Sequence, residues 1–121
     1  MEKDYKISLL LDFYGGLLSP KQKEAIEGYY NQDCSLSEIA EETGVTRQAV
    51  RDTIKRTEQS LLQMESKLRL YSRFEQMQSG LENIKRLGKE IIDLTDDASI
   101  KSKANSVISE AQSLLENEEQ E

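Results

Sequence analysis

The chain has 121 residues, a net charge of −7 at pH 7 and charged side chains at 32% of its positions. Its length fits one compact domain, or a small domain with a helical extension, and excludes two large domains. A single proline and the high charged fraction predict an all-α protein with long solvated helices, because an all-β chain needs more turn residues. The acidic balance also argues against indiscriminate binding of nucleic acid.

The residue types limit the compartment and the chemistry of any site. Cys34 is the only cysteine and histidine is absent, so neither an intrachain disulfide nor a Cys/His zinc site can form. The apolar run from Ile7 to Leu11 is far shorter than the roughly 20 residues of a membrane span, and the N-terminus lacks the pattern of a signal peptide. We therefore expect a cytoplasmic protein without membrane insertion, cofactor or metal.

The first thirty or so residues predict two short helices. Apolar residues at helical spacing indicate the first helix over about residues 4–14, where two glycines end it. Ser19 has the character of an N-cap, with Pro20 at the first helical position and Gln22 placed to close a capping box. The second helix is expected to end near Asn31.

The next two predicted helices have the spacing of a helix-turn-helix. Ser35 and Glu38 form a second capping signature, Gly44 ends that helix and Thr46 begins the following one. Such a motif needs a turn residue that tolerates positive φ and apolar residues that lock the two helices together.

Six residues meet these structural demands. We expect Gly44 to form the turn, Val45 to fill the junction between the helices, and the others to face inward. The predicted structural residues are Ile39, Ala40, Gly44, Val45, Val50 and Ile54.

The opposite face of the fourth predicted helix is basic and polar, and residues 46–57 carry a net charge of +3. Arginine can bond guanine bidentately, glutamine can do the same with adenine, and basic side chains hold phosphates. We therefore predict a nucleic-acid-binding face made of Thr46, Arg47, Gln48, Arg51, Lys55 and Arg56. The alternative is that Gly44 is only a helix C-cap and the arginines are solvated, as in many αα-hairpins.

The second half of the sequence predicts long helices. No glycine or proline lies between Arg47 and Gly80, which indicates one helix of about thirty residues. Apolar residues within and beyond it recur at near-heptad spacing along one stripe. Gly88 interrupts the second apolar stripe that a heptad pattern would contain. We predict a homodimer interface made of Leu70, Phe74, Met77, Leu81, Ile84 and Ile91. Alternatively, a last amphipathic helix, predicted over residues 100–115, folds back over the stripe.

These patterns predict three segments. Residues 1–60 form the helix-turn-helix domain, residues 61–116 form a helical extension that dimerises, and residues 117–121 form a frayed acidic tail. A turn at residues 95–97 separates the last helix from the one before it.

Several short motifs between residues 12 and 62 are diagnostic when they occur together: Asp12-Phe13-Tyr14, Leu17-Leu18, Lys21-Gln22, Tyr29-Tyr30, Ser35-Leu36-Ser37-Glu38-Ile39-Ala40, Arg47-Gln48-Ala49-Val50 and Ile54-Lys55-Arg56-Thr57-Glu58. Through these motifs, residues 12–62 resemble the YlxM family of small bacterial helix-turn-helix proteins. The resemblance implies a DNA-binding domain similar to region 4 of sigma factors. Because the family's gene commonly neighbours that of the signal recognition particle GTPase, it also implies a regulatory part in the signal recognition particle pathway.

The sequence therefore predicts an N-terminal, sigma-region-4-like helix-turn-helix bundle followed by long C-terminal helices. The expected function is DNA binding by a regulatory protein, with RNA as another ligand to consider. The alternative is a non-catalytic adaptor that binds a signal recognition particle component, either protein or RNA. An enzyme is disfavoured because histidine, the commonest general base, is absent and no glycine-rich phosphate loop is evident.

Overall fold

The computed structural model describes the backbone of residues 1–119 and the side chains of residues 1–117. The regular structure of this part of the chain is helical, which confirms the predicted all-α class. Its α-helices are α1 (Tyr5–Tyr14), α2 (Pro20–Tyr30), α3 (Leu36–Thr43), α4 (Arg47–Leu68), α5 (Leu70–Leu94) and α6 (Ala98–Glu119), with a 3-10 turn at Gly15–Leu17. Over the same residues, no helix has both the length and the apolar character needed to cross a membrane.

The predicted capping boxes begin α2 and α3. The Ser19 hydroxyl accepts the Gln22 N–H at 3.2 Å, and the Gln22 side chain accepts the Ser19 N–H at 3.1 Å. Ser35 and Glu38 make the same pair of bonds, both at 3.1 Å. Each box gives partners to backbone N–H groups that the first turn of a helix leaves unpaired.

Contacts divide the chain into two compact units, residues 1–72 and residues 73–121, the second described as far as residue 119. The core of the first unit lies between α4 and the three helices before it, and it includes Leu10, Tyr14, Ile26 and Ile54. Leu61, which we assigned to the extension, is also fully buried in this core. The first unit therefore reaches well beyond residue 60.

The single helix of about thirty residues that the sequence predicted from Arg47 onward is wrong. The helix α4 ends at Leu68, Arg69 has a φ of +57°, and α5 begins at Leu70. A left-handed conformation at a residue other than glycine is unfavourable by roughly 1–2 kcal/mol. Its surroundings compensate: the Tyr14 hydroxyl accepts the Leu70 N–H at 3.1 Å, so side-chain partners replace part of the helical hydrogen bonding.

The second unit is a helical hairpin of α5 and α6. Asp97 caps α6 by accepting the N–H groups of Ser99 and Ile100 at 2.8 and 3.1 Å. Across the hairpin, the Lys85 ammonium donates to the Gln112 side chain at 2.5 Å. The last helix therefore does fold back onto α5.

Gly88 is a contact point in this hairpin, not an interruption as we expected. It is buried, and a Cβ added to it would lie 2.6 Å from Cγ1 of Ile108 and 3.5 Å from the backbone oxygen of Ala104. Because glycine has no side chain, the two helices can approach each other closely here. Leu81 lies two helical turns before Gly88 and therefore on the same side of α5, facing α6.

The end of α6 differs from the predicted tail. The helix includes residues 117–119, which we expected to fray, while residues 120 and 121 lie outside the described part of the chain. No glycine or proline stops the helix after Leu115, so each further residue can add one backbone hydrogen bond to an existing helix.

Candidate nucleic-acid interface

A tight turn joins α3 to α4. Gly44 has a φ of +74°, in the left-handed region that glycine tolerates best, and its N–H donates to the Ala40 carbonyl at 3.0 Å. Two residues later the Thr46 hydroxyl accepts the Ala49 N–H at 3.0 Å and caps α4. The C-cap of one helix and the N-cap of the next are thus only two positions apart, as a helix-turn-helix requires.

The residues predicted to lock the two helices together are mostly buried. Ile39, Val50 and Ile54 are at most 3% exposed, and Ala40 is half-buried against the same core.

Val45 does not fill the junction as predicted. It keeps 37% of its surface exposed and lies at the edge of a groove between α2, α3 and α4. The turn residue before it takes the left-handed conformation and the residue after it is the N-cap, so the backbone of the turn itself, and not this side chain, joins the helices.

The predicted nucleic-acid-binding residues all lie exposed on the first turns of α4 or at its N-cap. Arg47, Arg51 and Lys55 are spaced four residues apart and therefore share one side of the helix. We call these three residues the basic row. Val50 and Ile54 are buried on another side, so the row is presented to solvent.

No ion pair within the described residues engages the basic row. Asp52, the acid among residues 47–57, accepts the Gln48 side-chain amide at 3.0 Å, and its backbone carbonyl accepts Nε of Arg56 at 3.4 Å. The N-terminal end of α4 adds the partial positive charge of its unpaired N–H groups. Anion binding is therefore favoured along this part of α4.

Tyr30 fixes α4 to the helices that support it, a role that the sequence did not predict. The Tyr30 hydroxyl donates a short hydrogen bond to Glu58 and accepts the Asp4 N–H at 3.3 Å. Burial, together with the Glu58 carboxylate, raises the pKa of Tyr30 above its usual value. Tyr30 and Glu58 both belong to the motifs that carry the family resemblance, and this is the signal that could have identified the pair.

Comparison with known proteins also identifies most of the chain as a helix-turn-helix protein. Residues 1–101 match the family described as "Putative helix-turn-helix protein, YlxM / p13 like", UPF0122. A UPF0122 protein of Exiguobacterium sp. AT1b is 50% identical over 99 residues, which are 82% of this chain and 89% of that protein.

Two further relatives come from other bacteria. A UPF0122 protein of Oceanobacillus iheyensis is 52% identical over 85 residues, 70% of this chain and 81% of its own length. One from Clostridium kluyveri is 46% identical over 96 residues, 79% and 80% of the two chains. The protein therefore belongs to the UPF0122 family of YlxM/p13-like helix-turn-helix proteins.

Proposed function

We propose that this protein is a non-catalytic, cytoplasmic regulator that binds DNA through the N-terminal half of α4. The observation that carries the proposal is the basic row, exposed and unpaired within the described residues, on a helix whose other side is locked into the core. Membership of a helix-turn-helix family supports it, because the second helix of this motif is the one that enters the major groove.

The side chains suggest a division of roles. Arg47 and Arg51, nearest the N-terminus of α4, would contact base edges, where each bidentate arginine–guanine pair gives about 1–3 kcal/mol of discrimination. Lys55 and Arg56, one turn further along, would hold phosphates and fix the orientation of the helix. Gln48 would have to release Asp52 before it could bond adenine.

Duplex DNA is favoured over duplex RNA as the ligand. The major groove of B-DNA is wide enough for a helix, whereas that of A-form RNA is deep and too narrow for side chains to read. A duplex RNA of matched length is therefore the appropriate competitor.

The test is a mobility-shift titration of genomic DNA fragments at about 0.1 M salt, with the double variant Arg47→Ala/Arg51→Ala. We expect a shift with the wild type that the variant loses. The control is Lys67→Ala/Lys89→Ala, which removes the same charge from exposed positions outside the predicted nucleic-acid-binding residues and should keep the shift. No shift by the wild type at micromolar concentration would contradict the proposal.

A second candidate function is an adaptor that binds a protein or RNA component of the signal recognition particle. The overall charge of −7 and the Asp52 carboxylate within the basic face favour it, since acidic groups repel a DNA backbone. Capture from lysate by the wild type and by Arg47→Ala/Arg51→Ala separates the two functions. An identified signal recognition particle protein retained after nuclease treatment supports the adaptor, and nuclease-sensitive capture lost in the variant supports nucleic-acid binding.

We also propose that the protein binds DNA as a homodimer whose C-terminal helices join the copies. Helix-turn-helix proteins commonly place two recognition helices on half-sites roughly 34 Å apart, so that the symmetry of the dimer matches that of the site. A pair of basic rows also doubles the number of phosphate contacts.

A further inference from the structure

The hairpin of α5 and α6 leaves large apolar side chains uncovered even though the two helices pack together. Besides Leu87 and Leu94, three of them on α5 are 42–51% exposed and three on α6 are 46–48% exposed. In both helices they recur every seven residues, which is close to two helical turns. We call this set the apolar face: Met77, Ile84 and Ile91 on α5, and Ile100, Val107 and Leu114 on α6.

The two rows lie on the same side of the hairpin. Gly88 marks the side of α5 that meets α6, and Ile84 and Ile91 lie four residues before it and three after it. On α6, Val107 has the same relation to the buried residues Ala104 and Ala111, three after one and four before the other. Equal offsets from the contact on two antiparallel helices place both rows on one surface.

The core within the hairpin is small. Among the described side chains from residue 73 to residue 117, the buried ones are Gly88, Ala104, Ala111 and Leu115. Glycine and alanine bury little apolar surface, and segments of this size usually need oligomerisation or a cross-link to be stable. Several large apolar residues of this unit, such as Ile84 and Val107, are on its outside instead.

Charges beside the α6 row fit a second copy of the same surface. Lys103 and Glu110 are exposed and follow Ile100 and Val107 by three residues each, so both lie along one edge of the row. When two copies meet antiparallel about a two-fold axis, the Lys103 end of the edge in one copy lies beside the Glu110 end of the same edge in the other copy. A single surface of this kind complements itself.

We propose that the apolar face packs against the apolar face of a second copy of the chain, forming a four-helix bundle of two hairpins. Seven-residue spacing in all four helices matches the knobs-into-holes packing of such bundles. The inference specifies the homodimer put forward under the proposed function: α6 contributes half of the interface, whereas Leu81, which we had predicted to lie in it, faces α6 of its own chain.

The first test is the mass of the full-length protein in solution, by sedimentation at concentrations from about 1 to 100 μM without nucleic acid. We expect twice the 13.8 kDa of one chain for the wild type and for Ser102→Glu, a matched control on the outer side of α6. Val107→Glu should sediment as one chain. A monomeric wild type at the highest concentration, or a dimeric Val107→Glu, would overturn the proposal.

A milder variant keeps the test valid if Val107→Glu fails to fold. Val107→Ala shortens the side chain without adding charge, and since each dimer loses two such contacts, its dissociation constant should rise by tenfold or more. A dissociation constant unchanged within twofold would contradict the proposed face.

The proposed dimer interface and the proposed DNA-binding face can be tested independently of each other. Arg47→Ala/Arg51→Ala should keep the dimeric mass while losing the mobility shift, because the basic row lies in the other unit of the chain. A dimer that binds no DNA would therefore refute the proposed function and leave the apolar face as the dimer interface.

Discussion

The Tyr14 hydroxyl donates a 2.7 Å hydrogen bond to Oε1 of Glu65, 51 positions later in the chain, and both side chains are buried. The same carboxylate accepts the N–H groups of Tyr71 and Ser72, each at 3.0 Å. One buried acid therefore joins α1 to the end of α4 and to the first turn of α5. These bonds, of which the one from Tyr14 is long-range, hold the break at Arg69.

Removing the Tyr14 hydroxyl should destabilise the protein. Tyr14→Phe removes the partner of the Leu70 N–H and leaves Oε1 of Glu65 with the Tyr71 N–H alone, and an unsatisfied buried polar group lowers stability by about 1–3 kcal/mol. Urea unfolding followed by circular dichroism would measure the loss. Tyr5→Phe, on the same helix but 74% exposed, should change stability by less than about 0.5 kcal/mol. Equal stability of the two variants would contradict this account.

Glu65 should make the protein sensitive to acid. Burial opposes its charge, but the bonds from Tyr14, Tyr71 and Ser72 outweigh that effect, so the pKa of Glu65 lies below its ordinary value of 4.5. A lowered pKa in the folded state contributes stability that is present above the unfolded pKa and lost as the pH falls through the folded one.

The measurement is the difference in unfolding free energy between the wild type and Glu65→Gln across this range. We expect the advantage of the wild type to be constant above the ordinary pKa and to shrink below about pH 4.5. An advantage that is independent of pH down to acid unfolding would show that the charge of Glu65 contributes nothing.

Features set by neighbours in the sequence could be predicted, and features set by distant contacts could not. The caps of α2 and α3 and the turn at Gly44 depend on residues within a few positions of one another, so their patterns were sufficient. The break at Arg69 depends on Tyr14 and Glu65, whose pairing no local pattern reveals. The role of Gly88 could not be predicted for the same reason, because it depends on Ile108 of another helix.

The candidate site was predictable to a similar degree. Helical geometry is enough to place Arg47, Arg51 and Lys55 on one exposed side once Val50 and Ile54 are taken to be buried. The exposure of Val45 and the hydrogen bond between Gln48 and Asp52 depend on side-chain conformation in the folded chain, which periodicity does not determine.

Two glycines of α5 should respond in opposite directions to the same substitution. At Gly88 an alanine Cβ would lie 2.6 Å from Ile108, so the hairpin must shift, and overpacking of this kind typically destabilises by 1–3 kcal/mol. At Gly80 nothing lies within 4 Å of the added carbon, and Gly80→Ala should stabilise the helix by about 1 kcal/mol.

Thermal unfolding of both variants, followed by circular dichroism, gives the comparison. The added variant Gly88→Ala/Ile108→Ala, which makes room for the new carbon, tests the cause. Its loss in free energy of unfolding should be smaller than the sum of the losses in Gly88→Ala and Ile108→Ala, because each change relieves the other. Strict additivity would mean that Ile108 does not determine the effect of a side chain at Gly88.

Salt dependence should separate the roles of the basic residues on α4. The logarithm of the DNA affinity falls linearly with the logarithm of the salt concentration, with a slope of roughly 0.9 for each phosphate neutralised. If Lys55 contacts a phosphate, Lys55→Ala should lower the magnitude of that slope by about one and weaken all DNA sequences alike. If Arg51 reads a base, Arg51→Ala should reduce the preference for one sequence by about 1–3 kcal/mol.

Titrations of a preferred and a scrambled duplex between about 0.05 and 0.2 M salt measure both quantities. Lys67→Ala, at the far end of α4, is the matched control and should leave slope and preference unchanged. Because Lys55 and Arg51 lie one turn apart on the same side of the helix, a difference in their effects reports which end of the basic row faces the bases. If Lys55→Ala and Arg51→Ala reduced the salt slope equally and left the sequence preference unchanged, the basic row would contact only the DNA backbone.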